Sequence, residues 1–371
     1  MMRISWITPS NFVDVDLPII VELQKSMEIF WQVTAEGRID ADMRNYIEPK
    51  LVHSKSIKVE YVEIPYRFFD LRTMHIYCRV LKKAKAFKPD LYYTSLQAAP
   101  FGPFIYQLYL PKNRTIASCH NVSTPKGANQ ETYARIFTDL HLRTFQNIQV
   151  FSETQKDVLY KKYPAKNVLL APLAIKDYGN PTVPKRDFDE KNVVFLFFGM
   201  ILNYKRVDLL IDAAQVLFEK GYKNFRVKIA GKCKNWELYE HHIKYPEIFD
   251  KRIERIPNED VANLFVSSDY FVMPYQDIAQ SGAITVAFRY NLPVILSDLP
   301  QFQPMITDGV SGLFFESMNV TDLAQKMAYV IEGGNTLHEK LKMGLAHSVE
   351  EKYSPSAIAA KYRHYFEDLL K

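Results

Sequence analysis

This chain of 371 residues is expected to form two doubly wound α/β domains joined by a short irregular segment. Three observations lead there. Short apolar runs alternate with helical patterns from one end to the other. The runs are continuously apolar, the mark of parallel strands covered by helices on both faces. The rhythm breaks across residues 171–192, which hold Pro172, Pro181 and Pro184 with Gly179 and Asn180 and show no apolar period, so the break reads as a linker. The length gives each half room for a substantial core.

In the first half the strand candidates are Arg3–Thr8, Glu28–Thr34, Val59–Ile64, Leu91–Thr94, Thr115–Cys119 and Ile148–Ser152. Helical patterns fill the gaps, notably Leu17–Lys25, Leu71–Phe87 and Glu153–Tyr163. In the second half they are Val193–Phe198, Phe225–Ala230, Arg252–Ile256, Tyr270–Met273, Pro293–Ser297 and Leu313–Phe315. Helices are expected near 235–245, 259–267, 282–290 and 320–332. The pattern Val207–Lys220 is the clearest. Val207, Leu210, Ile211, Ala214, Leu217 and Phe218 share one face, and Gly221 stands where a C-terminal cap belongs.

Hydrophobic residues make up 47% and charged residues 24%, the balance of a soluble globular protein. No apolar run is long enough to span a bilayer, and no basic segment followed by an apolar one opens the chain, so a cytoplasmic location is expected. Cys78, Cys119 and Cys233 lack metal-ligand spacing and read as buried thiols. The net charge of +5 is uneven, with +7 in the first 170 residues and −2 in the rest. That asymmetry suits an anionic partner, such as a phosphorylated carrier or a membrane surface, and no nucleic acid is expected. The densest cluster is Arg79, Lys82, Lys83, Lys85 and Lys88, on a helix whose other face carries Leu71, Met74, Cys78 and Leu81. It reads as a solvated face, with peripheral contact to an anionic membrane as the second reading.

Two stretches carry chemistry. In Gly199–Arg206 a buried strand ends in a glycine turn and presents Lys205 at the mouth of a helix. Backbone amides at a helix start and a lysine beside them suit a diphosphate. In Met273–Gly282 a second strand ends in a polar loop with Asp277 and Gln280. Ser281 then stands as a natural N-cap, and Gly282 lets a ligand approach the backbone. Ligands of open α/β sheets bind at this edge. Both stretches also fit an ordinary capped corner.

Taken together, Phe197-Phe198-Gly199, Tyr204-Lys205, the run Val207 to Ala213 and Asn291-Leu292-Pro293-Val294-Ile295 resemble glycosyltransferase family 4. The likeness is strong over 193–332, where the run Pro304–Phe315 also resembles the family's segment after the donor loop. In the first half it rests on the strand–helix rhythm and His120-Asn121. It implies a GT-B fold, with two Rossmann-like domains (1–175 and 190–352) facing across a cleft and a C-terminal helix (353–371) crossing back to the first. It implies a retaining transfer of a sugar from a UDP- or GDP-sugar to a glycan or lipid-linked acceptor. The Gln-Ser-Gly form of the loop resembles a branch working in bacterial surface-polysaccharide synthesis. No cofactor or metal is implied; the nucleotide sugar is a co-substrate.

The resemblance also assigns residues. Lys205 would stabilise the leaving diphosphate, with Gly199, Ser281 and Gly282 around it and Arg206 as runner-up. His120 would face the donor sugar, with Asn121 beside it. Ile256 and Asn258 lie near the turn that holds the nucleobase, and Asn258 equally fits a helix cap. Asp14 and Asp16 would meet the acceptor or cap the following helix. The chain departs from the family at the paired glutamates, where Ile278 and Val286 stand, so Thr285 or backbone is expected to hold the ribose. Met200 replaces a frequent arginine. The rival readings are a dehydrogenase, disfavoured because Pro9–Asp14 lacks glycine, a solute-binding protein, and an inactive GT-B-like subunit that binds nucleotide sugar.

Overall fold

The apolar N-terminal run forms the middle of a seven-stranded parallel sheet in a computed structural model of the chain, which describes residues 1–39, 41–67, 70–95, 102–122, 131–278 and 281–371. The chain divides into two units, Met1–Ala174 with Tyr353–Lys371, and Ile175–Lys352. In the first, β1 (Met2–Pro9), β2 (Met27–Glu36), β3 (Ile57–Ile64), β4 (Leu91–Ser95), β5 (Thr115–Ser118), β6 (Asn147–Val150) and β7 (Asn167–Leu170) lie in the order β3-β2-β1-β4-β5-β6-β7. Helices α1 (Val13–Leu23), α2 (Ala41–Leu51), α3 (Leu71–Ala86), α4 (Gly102–Tyr109), α5 (Glu131–Thr144) and α6 (Glu153–Lys162) connect them. The strand order reverses between β1 and β4.

Side chains alternate between faces, so consecutive residues of one strand serve different cores. Trp6, Trp31 and Tyr93 join α1, α2 and the C-terminal helix Pro355–Leu370 on one face. Ile7, Tyr92, Ala117 and Ile148 join α3, α4, α5 and α6 on the other. The C-terminal helix is tied in by aromatic contacts. Trp6 stacks on Tyr93 at 3.8 Å and meets Tyr362 at 5.8 Å, and Tyr362 meets Phe366 at 5.9 Å. Ser354 caps that helix by accepting from the Ala357 amide, and Pro355 takes its first turn.

In the second unit, β8 (Val193–Phe198), β9 (Phe225–Ala230), β10 (Phe249–Arg252), β11 (Tyr270–Met273), β12 (Val294–Ser297) and β13 (Leu313–Phe315) form a parallel sheet in the order β10-β9-β8-β11-β12-β13. Its helices are α7 (Val207–Glu219), α8 (Glu237–Glu240), α9 (Asn258–Val266), α10 (Gly282–Arg289), α11 (Val320–Glu332) and α12 (Gly334–Tyr353). Here the order reverses between β8 and β11. Gly221, at φ +99°, closes α7 as expected.

Several expectations need correction. The strand expected at Arg252–Ile256 is Phe249–Arg252, because Ile248 and Phe249 supply the buried side chains and the ladder with β9 stops where the Gly231 amide donates to Arg252 O. Strand β7 and the 20-residue α12 were not expected at all. On α3 the buried face is Thr73, Ile76, Val80, Leu81 and Ala84, so Leu71 and Met74 lie on the exposed side with the cations. Residues 175–192, read as linker, are a strap fastened to the second unit. The Lys176 amide donates to Thr285 Oγ1 (3.3 Å), the Thr182 amide to Asn263 Oδ1 (2.8 Å) and the Arg186 amide to Val266 O (2.9 Å). Among the described residues no helix is long and apolar enough to cross a membrane.

Asp16 shows how the first core treats a carboxyl. Its Oδ2 accepts from Trp6 Nε1 (2.9 Å) and Thr8 Oγ1 (2.6 Å), and the side chain is buried. Burial pushes this carboxyl up to about 7, against ~4 in an unfolded chain. A raised carboxyl stabilises the fold fully below the unfolded value and loses that contribution as pH climbs through about 7. Asp16→Asn keeps an acceptor for both donors and carries no charge. Urea titrations should show its stability flat over that range and above wild type at about pH 8; an unaltered pH slope contradicts this account.

Candidate active site

The register Tyr270↔Phe195 and Phe271↔Leu196 makes β8 and β11 neighbours, so their carboxyl ends open at the reversal point of the second sheet. Ligands of open α/β sheets bind at such a point. The chain leaves β8 through Gly199, at φ +118°, a conformation side chains rarely adopt. A β-carbon on neighbouring Gly231 would stand 2.0 Å from Gly199 O, so only glycine lets the two turns pass. A β-carbon on Gly199 would stand 3.2 Å from Lys205 Nζ. The bare turn is therefore what lets the ammonium lie against the strand end.

Lys205 is held without a counter-charge. Among the described residues its Nζ has no hydrogen-bond or ion-pair partner, and the Tyr275 ring centroid lies 5.4 Å away. Burial lowers this lysine to about 8, since an ammonium out of water is costly unless an anion meets it. The Tyr275 hydroxyl is buried and unpartnered too. Arg206, at φ +48°, spends its guanidinium on Asp208, at 2.6–3.0 Å. The one cation of the pair left for a ligand is Lys205.

The second loop is fastened to the first, for the Gln276 amide donates to Tyr204 O (2.9 Å). Ser281 stands at the N-cap position of α10 but makes no side-chain cap bond, although it is only 6% exposed. Among the described residues its hydroxyl makes no hydrogen bond, which corrects the expectation of a natural N-cap. Thr285 is also corrected as a ribose contact. It is buried, its Oγ1 donates to Gly282 O (2.8 Å), and it accepts from the Lys176 amide. Gln280 lies outside the described residues. Ile278 and Val286, at the family's glutamate positions, are 5% and 1% exposed and belong to the core.

Sequence reasoning missed Lys176. Its Cε and Nζ lie 3.4 and 3.8 Å from where a Gly282 β-carbon would stand, over the start of α10. Its place in a proline-marked, aperiodic segment gave no signal; only the bond from its amide to Thr285 sets it there. Asn258 is the first residue of α9, with Pro257 at the cap position, so the capping role is withdrawn. Ile256 is buried in the loop after β10.

In the first unit His120 follows β5 and is clasped between two rings. Phe12 stacks on it at 3.8 Å and 5°, and Phe151 at 4.3 Å and 27°. Burial lowers it to about 3, so its imidazole is neutral at physiological pH. Among the described residues its ring nitrogens have no hydrogen-bond partner. Asn121 beside it is exposed. Asp16 is corrected: its carboxyl is turned inward to Trp6 and Thr8 and is not presented to an acceptor. Asp14 sits in the first turn of α1 and is partly exposed.

Residues 181–343, all within the second unit, match the family model of glycosyl transferases group 1. An uncharacterized glycosyltransferase of Haemophilus influenzae is 23% identical over 52% of this chain, and the match spans about half of that relative, 53% of its length. Two solved structures share the fold over nearly the whole chain. Sucrose-phosphate synthase from Thermosynechococcus elongatus has a TM-score of 0.72 at 14% identity, over 100% of this chain and 99% of that one. HepE from Anabaena, solved in complex with UDP-glucose, has a TM-score of 0.70 at 13% identity, over 99% of this chain and 100% of that one. Two parallel-sheet, Rossmann-like units of the GT-B class are thus established.

A lysine lowered by burial binds anions while protonated and loses that capacity as pH rises through its own value. UDP carries constant charge above its phosphate transition near ~6. Calorimetry should find its affinity falling as pH rises through about 8, and Lys205→Arg should flatten the decline. An affinity constant across that range contradicts the assignment.

Proposed function

We propose that this chain is a retaining glycosyltransferase that moves a sugar from a UDP- or GDP-sugar to a glycan or lipid-linked acceptor, in bacterial cell-surface polysaccharide synthesis at the cytoplasmic side of the membrane. The uncompensated Lys205 ammonium at the β8–β11 switch point carries the reading. When the bond between the anomeric carbon and the diphosphate oxygen breaks, its electron pair stays on the nucleoside diphosphate. Negative charge therefore grows where Lys205 lies. Fixed charges aimed at growing charge are often the largest catalytic contribution.

Lys176 and the first amides of α10, with the Ser281 hydroxyl, complete the cradle in this proposal. Lys176 makes good the cation missing at Met200, which is 58% exposed and carries none. Gly199 and Gly282 give the ligand access to backbone. With this much positive charge from the chain, a divalent metal is not required. His120, neutral and rigidly clasped, serves turnover by hydrogen bonding. Ribose contact falls to backbone, because Thr285 is spent and Ile278 and Val286 are apolar.

The second reading is an inactive nucleotide-sugar-binding subunit, favoured by the loss of both glutamates. Lys205→Ala separates the two. Transfer or hydrolysis of a panel of UDP- and GDP-sugars should fall ~10²-fold or more with the fold intact. Lys176→Ala should fall less, and His120→Ala should lower turnover more than donor affinity. A wild-type chain that binds donor and never cleaves it decides for the inactive subunit. Unchanged transfer in Lys205→Ala removes Lys205 from the mechanism.

A further inference from the structure

The outer surface of α3 and α4 has the composition of a membrane contact. Leu71 and Met74 on α3 are 73% and 36% exposed, and Phe104 and Leu108 on α4 are 67% and 76% exposed. Spacings of three and four put each pair on one face of its helix. Helix α4 packs between α3 and α5, and Ile136 on α5 adds another apolar side chain at 55% exposure. Single exposed apolar residues are ordinary, but a run of them across adjoining helices is not. The inner faces of these helices already fill the core with Ile76, Val80, Ile105 and Tyr106, so the outer residues are surplus to folding.

The charge on α3 itself is positive. Neither α3 nor α4 contains an aspartate or glutamate. Arg79, Lys82 and Lys85 continue the exposed side of α3, and among the described residues none of them has an ion-pair partner. By contrast Arg72 is paired with Asp70 and Lys83 with Glu60. Beside the first turns of α3 lies a cavity of about 440 Å³, lined by Tyr66, Arg72, His75 and Arg79 together with Glu63. Apolar side chains at one end of a helix and unpaired cations at the other suit a bilayer whose surface is anionic. The former enter the acyl boundary and the latter meet headgroup phosphates.

We infer that the α3–α4 face docks the chain on an anionic lipid bilayer, with the cavity at α3 receiving a lipid headgroup. The placement has a purpose if the acceptor is lipid-linked, and for that purpose alone it rests on the proposed function. Helices α3 and α4 both begin at the carboxyl edge of the first sheet, and His120 follows β5 at that same edge. A docked surface would hold a lipid-borne acceptor close to the edge where His120 stands.

Co-sedimentation of the full chain with two kinds of vesicle tests this. One is pure phosphatidylcholine; the other contains about one third phosphatidylglycerol. Binding should be at least about tenfold stronger to the anionic vesicles and should fall with added salt. Leu71→Asp with Leu108→Asp, and separately Arg79→Glu with Lys82→Glu, should each weaken it about tenfold or more. All four positions are exposed, so thermal melting and soluble donor hydrolysis should stay at wild-type levels. Equal binding to both vesicles, or variants that bind as wild type does, overturns the proposal. So does a dimer in sedimentation velocity that the apolar variants dissolve, because the face is then an interface between copies. A chain that transfers sugar in solution and ignores both vesicles sinks the docking surface and leaves the enzyme. A chain that docks on anionic vesicles and binds no nucleotide does the reverse.

Discussion

Lys205 lies against a glycine turn with its ammonium largely out of water and no carboxylate beside it among the described residues. Leaving a buried charge unpaired is costly, and folded chains normally answer it with an ion pair. The adjacent Arg206 is answered in that way by Asp208. The surroundings of Lys205 do the opposite. Gly231 packs so tightly on Gly199 O that it tolerates no side chain, Gly199 holds a φ of +118° that side chains rarely adopt, Tyr275 offers a ring, and the Ser281 hydroxyl makes no cap bond. The second sheet thus ends beside an ammonium that no carboxylate among the described residues balances.

The first unit solves a related problem with neutral groups. Its one histidine at a strand end is kept uncharged by the rings of Phe12 and Phe151, which also fix the imidazole plane. Asp16 is held by donors from Trp6 and Thr8 inside the core. Positive charge in this unit is instead carried outward, on α3, where it borders exposed leucine, methionine and phenylalanine. The second unit keeps an unpaired ammonium at a strand end, whereas the first displays its positive charge on the surface of α3.

Much of this could be read from residue order. Continuous apolar runs located nearly all the strands, because parallel strands are buried on both faces and need no alternation. Lys205 was legible because a glycine turn between an apolar strand and a strongly periodic helix marks the edge of a parallel sheet, where a lysine meets whatever the edge binds. What escaped depended on tertiary contact. Lys176 reaches α10 only because its amide is tied to Thr285, more than a hundred residues away in the chain. The clasp on His120 joins rings from three separate loops. Spacing on α3 suggested an apolar face through Leu71 and Met74, whereas packing against α4 and the sheet selected Ile76 and Val80. The edge strand β10 starts three residues earlier than its pattern suggests, since its buried pair Ile248 and Phe249 precedes the charged stretch around Arg252.

A crystal of the chain soaked with UDP tests the central claim most directly. The account predicts density for the diphosphate within hydrogen-bond reach of Lys205 Nζ and of the first amides of α10, with Lys176 turned toward it. A nucleotide seated elsewhere, or an unliganded Lys205 with the diphosphate held by other side chains, contradicts it.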